Sequence, residues 1–381
     1  MIRIGIDASN IRAGGGLTHL KEILSALSPE EHKIERVIVW GGKSTLMQLP
    51  VRDWLDLTHV PFLDKSLIMR LWWAKLRIKE LAEVECDILF FPGASYSTSF
   101  KPYVSFSQNL LPFDVFERKR YGISLAFLRV CMLRFTQGCS FRKCDGVIFL
   151  TNHARTIVLK AFPKLNCPTA TIPHGVNPVF FHPPAKQLPL KDFSSKNPFR
   201  FLYVSIIDMY KHQWKVVEAV SLLRAKGYPV ILNLVGPAYP PALRRLQNAL
   251  ARFDPQREFV FYHGSIPYGQ LHDRYRNADG FIFASTCETF GMILLEAMAS
   301  GLPIACSDYS PLKETLGNFG MFFSPEDPSN IASVLSRLIE ERNLRERCAW
   351  AAHKRAKTYS WERCAYETFS FIAEVARNER R

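Results

Sequence analysis

No stretch of the 381-residue sequence reaches the roughly 18 uninterrupted apolar residues of a membrane-spanning helix. The longest candidate, around residues 125–135, is cut by Arg129 and Arg134. Nothing reads as a secretory leader either. The chain opens Met-Ile-Arg-Ile-Gly-Ile-Asp-Ala-Ser, and the alternation of Ile2, Ile4 and Ile6 marks a strand. The nine cysteines form no Cys-x-x-Cys, and Cys131, Cys139, Cys144 and Cys167 have no histidine at zinc-finger spacing. A reducing, cytoplasmic compartment is therefore expected. Negative charge is short: 35 acidic side chains stand against 49 basic ones, a net +14. That balance asks for an anionic partner, whether nucleic acid, an acidic membrane surface or a phosphorylated ligand. RNP, KH, helix-turn-helix and zinc-finger signatures are all absent, which weakens the nucleic-acid reading.

What is present is a globular composition, 48% hydrophobic, which is enough to bury a core and excludes disorder as the main state. Short aliphatic runs alternate with turns and longer helical patterns. Before residue 183 the runs are Val37–Trp40, Ile88–Phe91, Val104–Ser107, Val147–Leu150 and Thr169–Ile172. After residue 198 they are Phe201–Val204, Val230–Val235, Phe259–Tyr262, Gly280–Ala284 and Pro303–Cys306. Near-continuous apolar strands alternating with helices predict parallel sheets covered on both faces. The expected fold class is α/β, two Rossmann-like doubly wound domains facing across a cleft. The expected boundaries are an N-terminal domain over 1–184, a Pro-, Lys- and Ser-rich linker over 185–198, a C-terminal domain over 199–356 and a final helix over 357–381. Such sheets carry ligands at the carboxyl ends of their strands.

Two segments carry chemistry. After the first strand, Gly14-Gly15-Gly16 opens a helical pattern, so Gly15 and Gly16 are candidate donor-binding positions where the backbone can approach a phosphate closely. The second segment runs Phe281-Ile-Phe-Ala-Ser-Thr-Cys-Glu-Thr-Phe-Gly-Met-Ile-Leu-Leu-Glu-Ala-Met-Ala-Ser-Gly-Leu-Pro-Ile304. A buried strand ends near Ala284, a turn carries Glu288, and a helix starts close to Gly291. Seven residues separate Glu288 from Glu296. The amides of Thr289, Phe290, Gly291 and Met292 would face out of the helix start, where the dipole favours an anion. One segment thus offers a carboxylate, an amide nest and a second carboxylate. That suits a sugar joined through a diphosphate to a nucleoside.

With its flanks Thr-Phe-Gly and Ala-Met-Ala-x-Gly-x-Pro, this E-x7-E segment resembles that of the retaining GT-B glycosyltransferases of family 4, the glycosyl transferases group 1. The resemblance covers nearly the whole chain. It implies transfer of a sugar from a nucleotide-diphosphate sugar to an acceptor with retained anomeric configuration. The acceptor class it implies is a glycan or lipid-linked saccharide of surface polysaccharide assembly. By resemblance Glu288 meets the donor sugar hydroxyls, Glu296 the ribose hydroxyls, and Lys211, in Phe201-Leu-Tyr-Val-Ser-Ile-Ile-Asp-Met-Tyr-Lys-His212, the diphosphate. Glu288 and Lys211 are the expected catalytic pair. Ser205 and Ile206 stand where the family has Gly-Arg, so one expected cation is missing. Gly236, in Val235-Gly236-Pro237, falls at the family's nucleotide-binding loop, and Tyr262-His263-Gly264 near the base. Ile172-Pro-His174-Gly175-Val176 resembles the family's Pro-Asn-Gly-Val turn. Thr358-Tyr-Ser-Trp361 resembles the start of its last helix, which crosses back to the first domain. On the acceptor side Asn109 or Gln108 stands at the family's reaction-centre His. An amide there can hydrogen-bond but not act as a base. Asp114 is either a base or a helix cap. No Asp-x-Asp occurs, which argues against the metal-dependent GT-A architecture, so neither metal nor cofactor is expected.

Ten basic side chains and one acidic one lie within residues 118–164, interleaved with Phe127, Leu128, Leu133, Phe135 and Phe141. A second stretch, residues 67–77, mixes Trp72 and Trp73 with Arg70, Lys75 and Arg77. Both admit an anionic membrane surface as partner, which would bring the chain to the inner face of the plasma membrane. The core reading of the two tryptophans stands beside it. Two other functions remain open at this stage. One is a non-catalytic or divergent GT-B protein such as a sugar-nucleotide epimerase. The other is a basic nucleic-acid binder, although no nucleic acid is expected as a partner.

Overall fold

The computed structural model describes residues 1–65, 69–70, 73, 77–93 and 99–378. Among these, the apolar runs become two parallel sheets. The first holds β1 (Ile2–Asp7), β2 (Ile34–Gly41), β3 (Leu55–His59), β4 (Ile88–Phe91), β5 (Tyr103–Ser107), β6 (Gly146–Phe149) and β7 (Thr169–Thr171), in the order β3-β2-β1-β4-β5-β6-β7. The second holds β8 (Phe199–Val204), β9 (Val230–Val235), β10 (Val260–Tyr262), β11 (Gly280–Phe283), β12 (Ile304–Ser307) and β13 (Met321–Phe323), in the order β10-β9-β8-β11-β12-β13. Every residue of β4, β5, β6, β11 and β12 is buried. Helices therefore cover both faces, which is why these strands are apolar throughout rather than alternating.

In each sheet the strand order reverses once, between β1 and β4 and between β8 and β11. At such a switch point the chains leaving the two neighbouring strands diverge to opposite faces and leave a crevice at the strands' carboxyl ends. Strands β3 and β13 were not anticipated. Both are sheet edges, and β3 is largely half-buried or exposed.

The chain divides into two compact units. One comprises Met1–Arg118, Gly122–Gly175 and Ser360–Arg381, the other Lys119–Tyr121 and Val176–Tyr359. The stretch expected as a linker, 185–198, belongs to the second unit. The reason is Arg345, a fully buried guanidinium that donates to Gln187 Oε1 at 3.1 Å, to the Leu188 carbonyl, and to the Leu338 carbonyl at 2.8 Å. A buried cation needs these acceptors, and they fix the Pro-rich segment against the last helices of the unit. The helix Trp361–Asn378 belongs to the first unit, where it packs on the helix Gly15–Ala26 and on β4, β5 and β6.

Candidate functional site

The second sheet's switch point is where Lys211 and Glu288 meet. Lys211 follows β8 and Glu288 follows β11. The Lys211 ammonium forms an ion pair with Glu288 Oε1, the two side chains being 5% and 15% exposed. The same nitrogen lies 4.8 Å from the Phe283 ring centre and 5.0 Å from that of Tyr210, so aromatic faces supply the rest of its surroundings.

Backbone bonds hold the two loops together. The Tyr203 hydroxyl donates to the Lys211 carbonyl and accepts the Ala284 amide at 3.2 Å. The Thr286 amide donates to the Tyr210 carbonyl at 2.9 Å, and His212 Nε2 lies 3.1 Å from Thr286 Oγ1. Burial pushes His212 down to about 4, so near neutral pH it is an uncharged hydrogen-bonding partner. Lys211 and Glu288 are thus held in place before any ligand arrives.

The helix Met292–Ala299 starts one residue after Gly291, whose φ of 91° places it in the left-handed region. A glycine there turns the chain from the Glu288 loop into the helix without a Cβ penalty. Thr289 and Met292 are half-buried. Phe290 is buried at 2% exposure and its carbonyl accepts Thr315 Oγ1 at 3.0 Å, so its ring serves the core.

Glu296 is 5% exposed and accepts hydrogen bonds from Tyr275 Oη at 2.9 Å and Tyr268 Oη at 3.3 Å. Desolvation pushes its carboxyl up to about 7, and the two tyrosines pull in the opposite direction. Neither tyrosine was expected at the site. No spacing in the sequence links them to Glu296, because the short helix Leu271–Arg276 carries Tyr275 in from a separate connection.

Gly236 follows β9 directly with φ 142°, and a Cβ there would lie 2.1 Å from the Ser205 carbonyl oxygen. Its glycine identity is set by this close passage of β8 and β9. Ile206, at the family's Arg position, is 36% exposed. The remaining sequence candidates lie in the first unit. Gly15 and Gly16 begin the helix Gly15–Ala26, and Gly16 faces Gln108 Oε1 closely enough that a Cβ would come within 3.2 Å of it. Asn109 is half-buried and its Oδ1 accepts the Leu111 amide at 3.0 Å, so it already shapes its own turn. Asp114 accepts the Glu117 amide at 3.0 Å at the start of the next helix, as a cap does. Trp73 is core at 2% exposure, while Trp72 and Lys75 lie outside the described residues.

One group of three metal-type ligands occurs among the described residues, His19, His174 and Cys364. It is fully buried in the first unit, and the two imidazoles already bond each other, Nδ1 to Nδ1, at 3.1 Å.

Residues 188–355, which include the Lys211–Glu288 pair and Glu296, match the family model described as glycosyl transferases group 1. Through this segment, somewhat under half of its length, the chain is similar to the glycosyl transferases group 1. Among curated relatives, it is 28% identical over 211 residues to O-antigen chain mannosyltransferase B of Escherichia coli, covering 54% of this chain and 52% of that protein. It is 32% identical over 154 residues to a D-inositol 3-phosphate glycosyltransferase of Thermomonospora curvata, covering 39% and 34%. The matched regions thus span about half or less of these relatives. Among solved structures, Anabaena HepE in complex with UDP-glucose superposes with a TM-score of 0.69 at 15% identity, over 100% of both chains. Sucrose-phosphate synthase from Thermosynechococcus elongatus does so with a TM-score of 0.70 at 18%, over 100% and 99%. At these identities the likeness is one of fold: the chain has the GT-B α/β fold, with its two parallel sheets. Among its described residues no helix is long and apolar enough to cross a membrane.

Proposed function

We propose that the protein is a retaining glycosyltransferase, with no required metal, that moves a hexose from a nucleoside-diphosphate sugar to a glycan or lipid-linked saccharide of a surface polysaccharide. The observation that carries this reading is the Lys211–Glu288 pair held at the switch point of the second sheet. The mannosyltransferase relative supports the hexose and the polysaccharide. The UDP-glucose complex of the fold neighbour supports the donor class. The proposed location is the cytoplasm, at the face where such acceptors are built.

The chemistry follows from charge. Breaking the bond between the sugar and the diphosphate places negative charge on the leaving phosphate and positive character on the anomeric carbon. Lys211 supplies a fixed, desolvated cation for the phosphate, and the backbone at the start of the helix Met292–Ala299 adds dipolar stabilisation. Glu288 orients sugar hydroxyls by accepting their hydrogen bonds, and its negative charge lies beside the developing oxocarbenium character. In the free protein its carboxylate neutralises Lys211. Donor binding then exchanges one anionic partner of Lys211 for another without stranding a buried charge. Glu296, presented by Tyr268 and Tyr275, takes the ribose hydroxyls. No group is assigned a proton-shuttle role, in keeping with same-face attack by the acceptor.

The test begins with a thermal-shift screen against UDP-, GDP-, ADP- and dTDP-sugars, since a ligand of the native state raises apparent stability. Acceptor-dependent release of the nucleoside diphosphate is then measured. Glu288→Ala and Lys211→Ala are expected to lower turnover about 100-fold or more, the scale of losing an electrostatic stabiliser of the transition state. Unchanged turnover in both variants would sink the assignment. Ile206 favours a second reading, because one family cation is absent beside the diphosphate. On that reading the protein binds the donor and transfers nothing, and a thermal shift without product on any acceptor would support it.

A further inference from the structure

The helix Leu125–Lys143 of the first unit carries large apolar side chains on its solvent side as well as its buried side. Val130, Gln137 and Phe141 face the interior. On the opposite side Leu125, Leu128, Met132 and Phe135 stand in solvent, 86%, 56%, 57% and 71% exposed. At about 100° per residue these four fall within roughly 80° of the helix circumference. The solvent side of a surface helix is normally polar, and among the described residues nothing covers this outer stripe. The exposure is also clustered: Val115, Phe116 and Ile123, at 43%, 81% and 108%, precede the stripe in sequence. Scattered exposed hydrophobics need no explanation, but four on one face of a single helix do.

Charge identifies the partner. The helix carries Arg129, Arg134, Arg142 and Lys143 and no acidic residue. Arg129 and Lys143 are exposed on the same side as the stripe. Nearby acids are already engaged. Asp145 accepts Lys101 Nζ at 2.6 Å and the Tyr103 amide at 2.9 Å, Asp114 caps a helix, and Glu117 is buried. Among the described residues the outer face thus combines an apolar stripe with positive charge that no acidic side chain offsets. A second copy of the chain would bring like charges together across the contact.

We propose that this face docks on the surface of a bilayer containing acidic phospholipids. Leu125, Leu128, Met132 and Phe135 enter the headgroup–acyl boundary, while Arg129 and Lys143 meet lipid phosphates. The helix lies in the interface and does not cross it. The inference deepens the lipid-linked acceptor of the proposed function, since a surface-bound enzyme meets a lipid-carried substrate in two dimensions. It does not depend on turnover, because vesicle binding needs neither donor nor acceptor.

The experiment is co-sedimentation of the full-length protein with vesicles of phosphatidylcholine alone and of phosphatidylcholine mixed with phosphatidylglycerol. Binding is expected to the acidic vesicles, to fall with salt, and to be about tenfold or more weaker for Leu128→Asp/Phe135→Asp and for Arg129→Glu/Lys143→Glu. These side chains are exposed, so each variant is expected to keep the melting temperature and nucleotide-induced thermal shift of the unaltered protein. Three results would overturn the proposal: no sedimentation with acidic vesicles, equal binding by Leu128→Asp/Phe135→Asp, or a homodimer that this double variant dissolves. Failure of the transferase reading would show instead as absent donor binding with vesicle binding intact.

Discussion

Glu296 carries a measurable signature of its burial. Its carboxyl sits at about 7 in the folded protein against an ordinary value of 4.5. Between those values the folded state keeps a proton that the unfolded chain has released. Stability therefore falls as pH rises through that window and levels off above about 7, by up to about 3 kcal/mol from this one group. Function has the opposite slope. A protonated carboxyl offers one donor and reduced acceptor capacity, whereas the carboxylate accepts from two hydroxyls at once. If Glu296 takes the ribose hydroxyls, nucleotide affinity rises as pH passes through about 7. Calorimetric titration of the preferred nucleoside diphosphate from pH 5.5 to 8.5 reads this directly. Glu296→Gln is expected to bind more weakly and to flatten the pH profile. A Glu296→Gln variant with the original profile would assign the titration to another group. The sequence made Glu296 visible through its distance from Glu288, but the environment that sets its protonation comes from Tyr268 and Tyr275, which only the fold assembles.

Just past the ends of strands β9 and β10, two glycines separate conformational strain from close packing. Gly236 and Gly264 both have positive φ, 142° and 66°. A Cβ on Gly264 would meet nothing within 4 Å, while one on Gly236 would press on the Ser205 carbonyl at 2.1 Å. Gly264→Ala is therefore expected to cost about 1 kcal/mol, for the left-handed backbone alone. Gly236→Ala should cost more, about 3 kcal/mol or above, because β8 and β9 must part. Urea titration of both variants checks the ordering. Equal losses would mean that the β8–β9 ends relax freely and do not define the loop that leads to Lys211.

At this scale the sequence was informative where burial is two-sided. The central strands were legible as unbroken aliphatic runs. Edge strand β3 was not, since it reads Leu-Asp-Leu-Thr-His, and neither was β13, although the equally short edge strands β7 and β10 were. Charge counting found the basic segment around Leu125–Lys143, but periodicity could not say which of its two apolar faces would be enclosed. The switch point, which brings Lys211 to Glu288, depends on strand order, and a rhythm of strands and helices does not encode that order.

The first unit is assembled from both ends of the chain. Its last element, Trp361–Asn378, buries Trp361, Phe369, Ile372 and Val375 within a unit whose other segments end at Gly175. The start of that helix is tightly seated: a Cβ on Gly175 would lie 2.3 Å from the Trp361 amide nitrogen. Behind it the Trp361 ring stands 5.5 Å from His174 and 6.0 Å from His19, whose imidazoles are held neutral by burial. Four large apolar side chains at about 1.5–3 kcal/mol each amount to roughly 6–12 kcal/mol. That is as large as the whole stability of a typical domain, about 5–15 kcal/mol. Deleting residues 360–381 is therefore expected to unfold the first unit. The second unit, which is Val176–Tyr359 with only Lys119–Tyr121 contributed from elsewhere, keeps its own core and the Lys211–Glu288 site. Hydrogen exchange on the truncated chain should show protection lost across β1 to β7 and retained across β8 to β13, with the nucleotide-induced thermal shift surviving. Loss of protection in both sheets would mean that the two units do not fold independently, and that the last helix stabilises the donor site as well as the domain it completes.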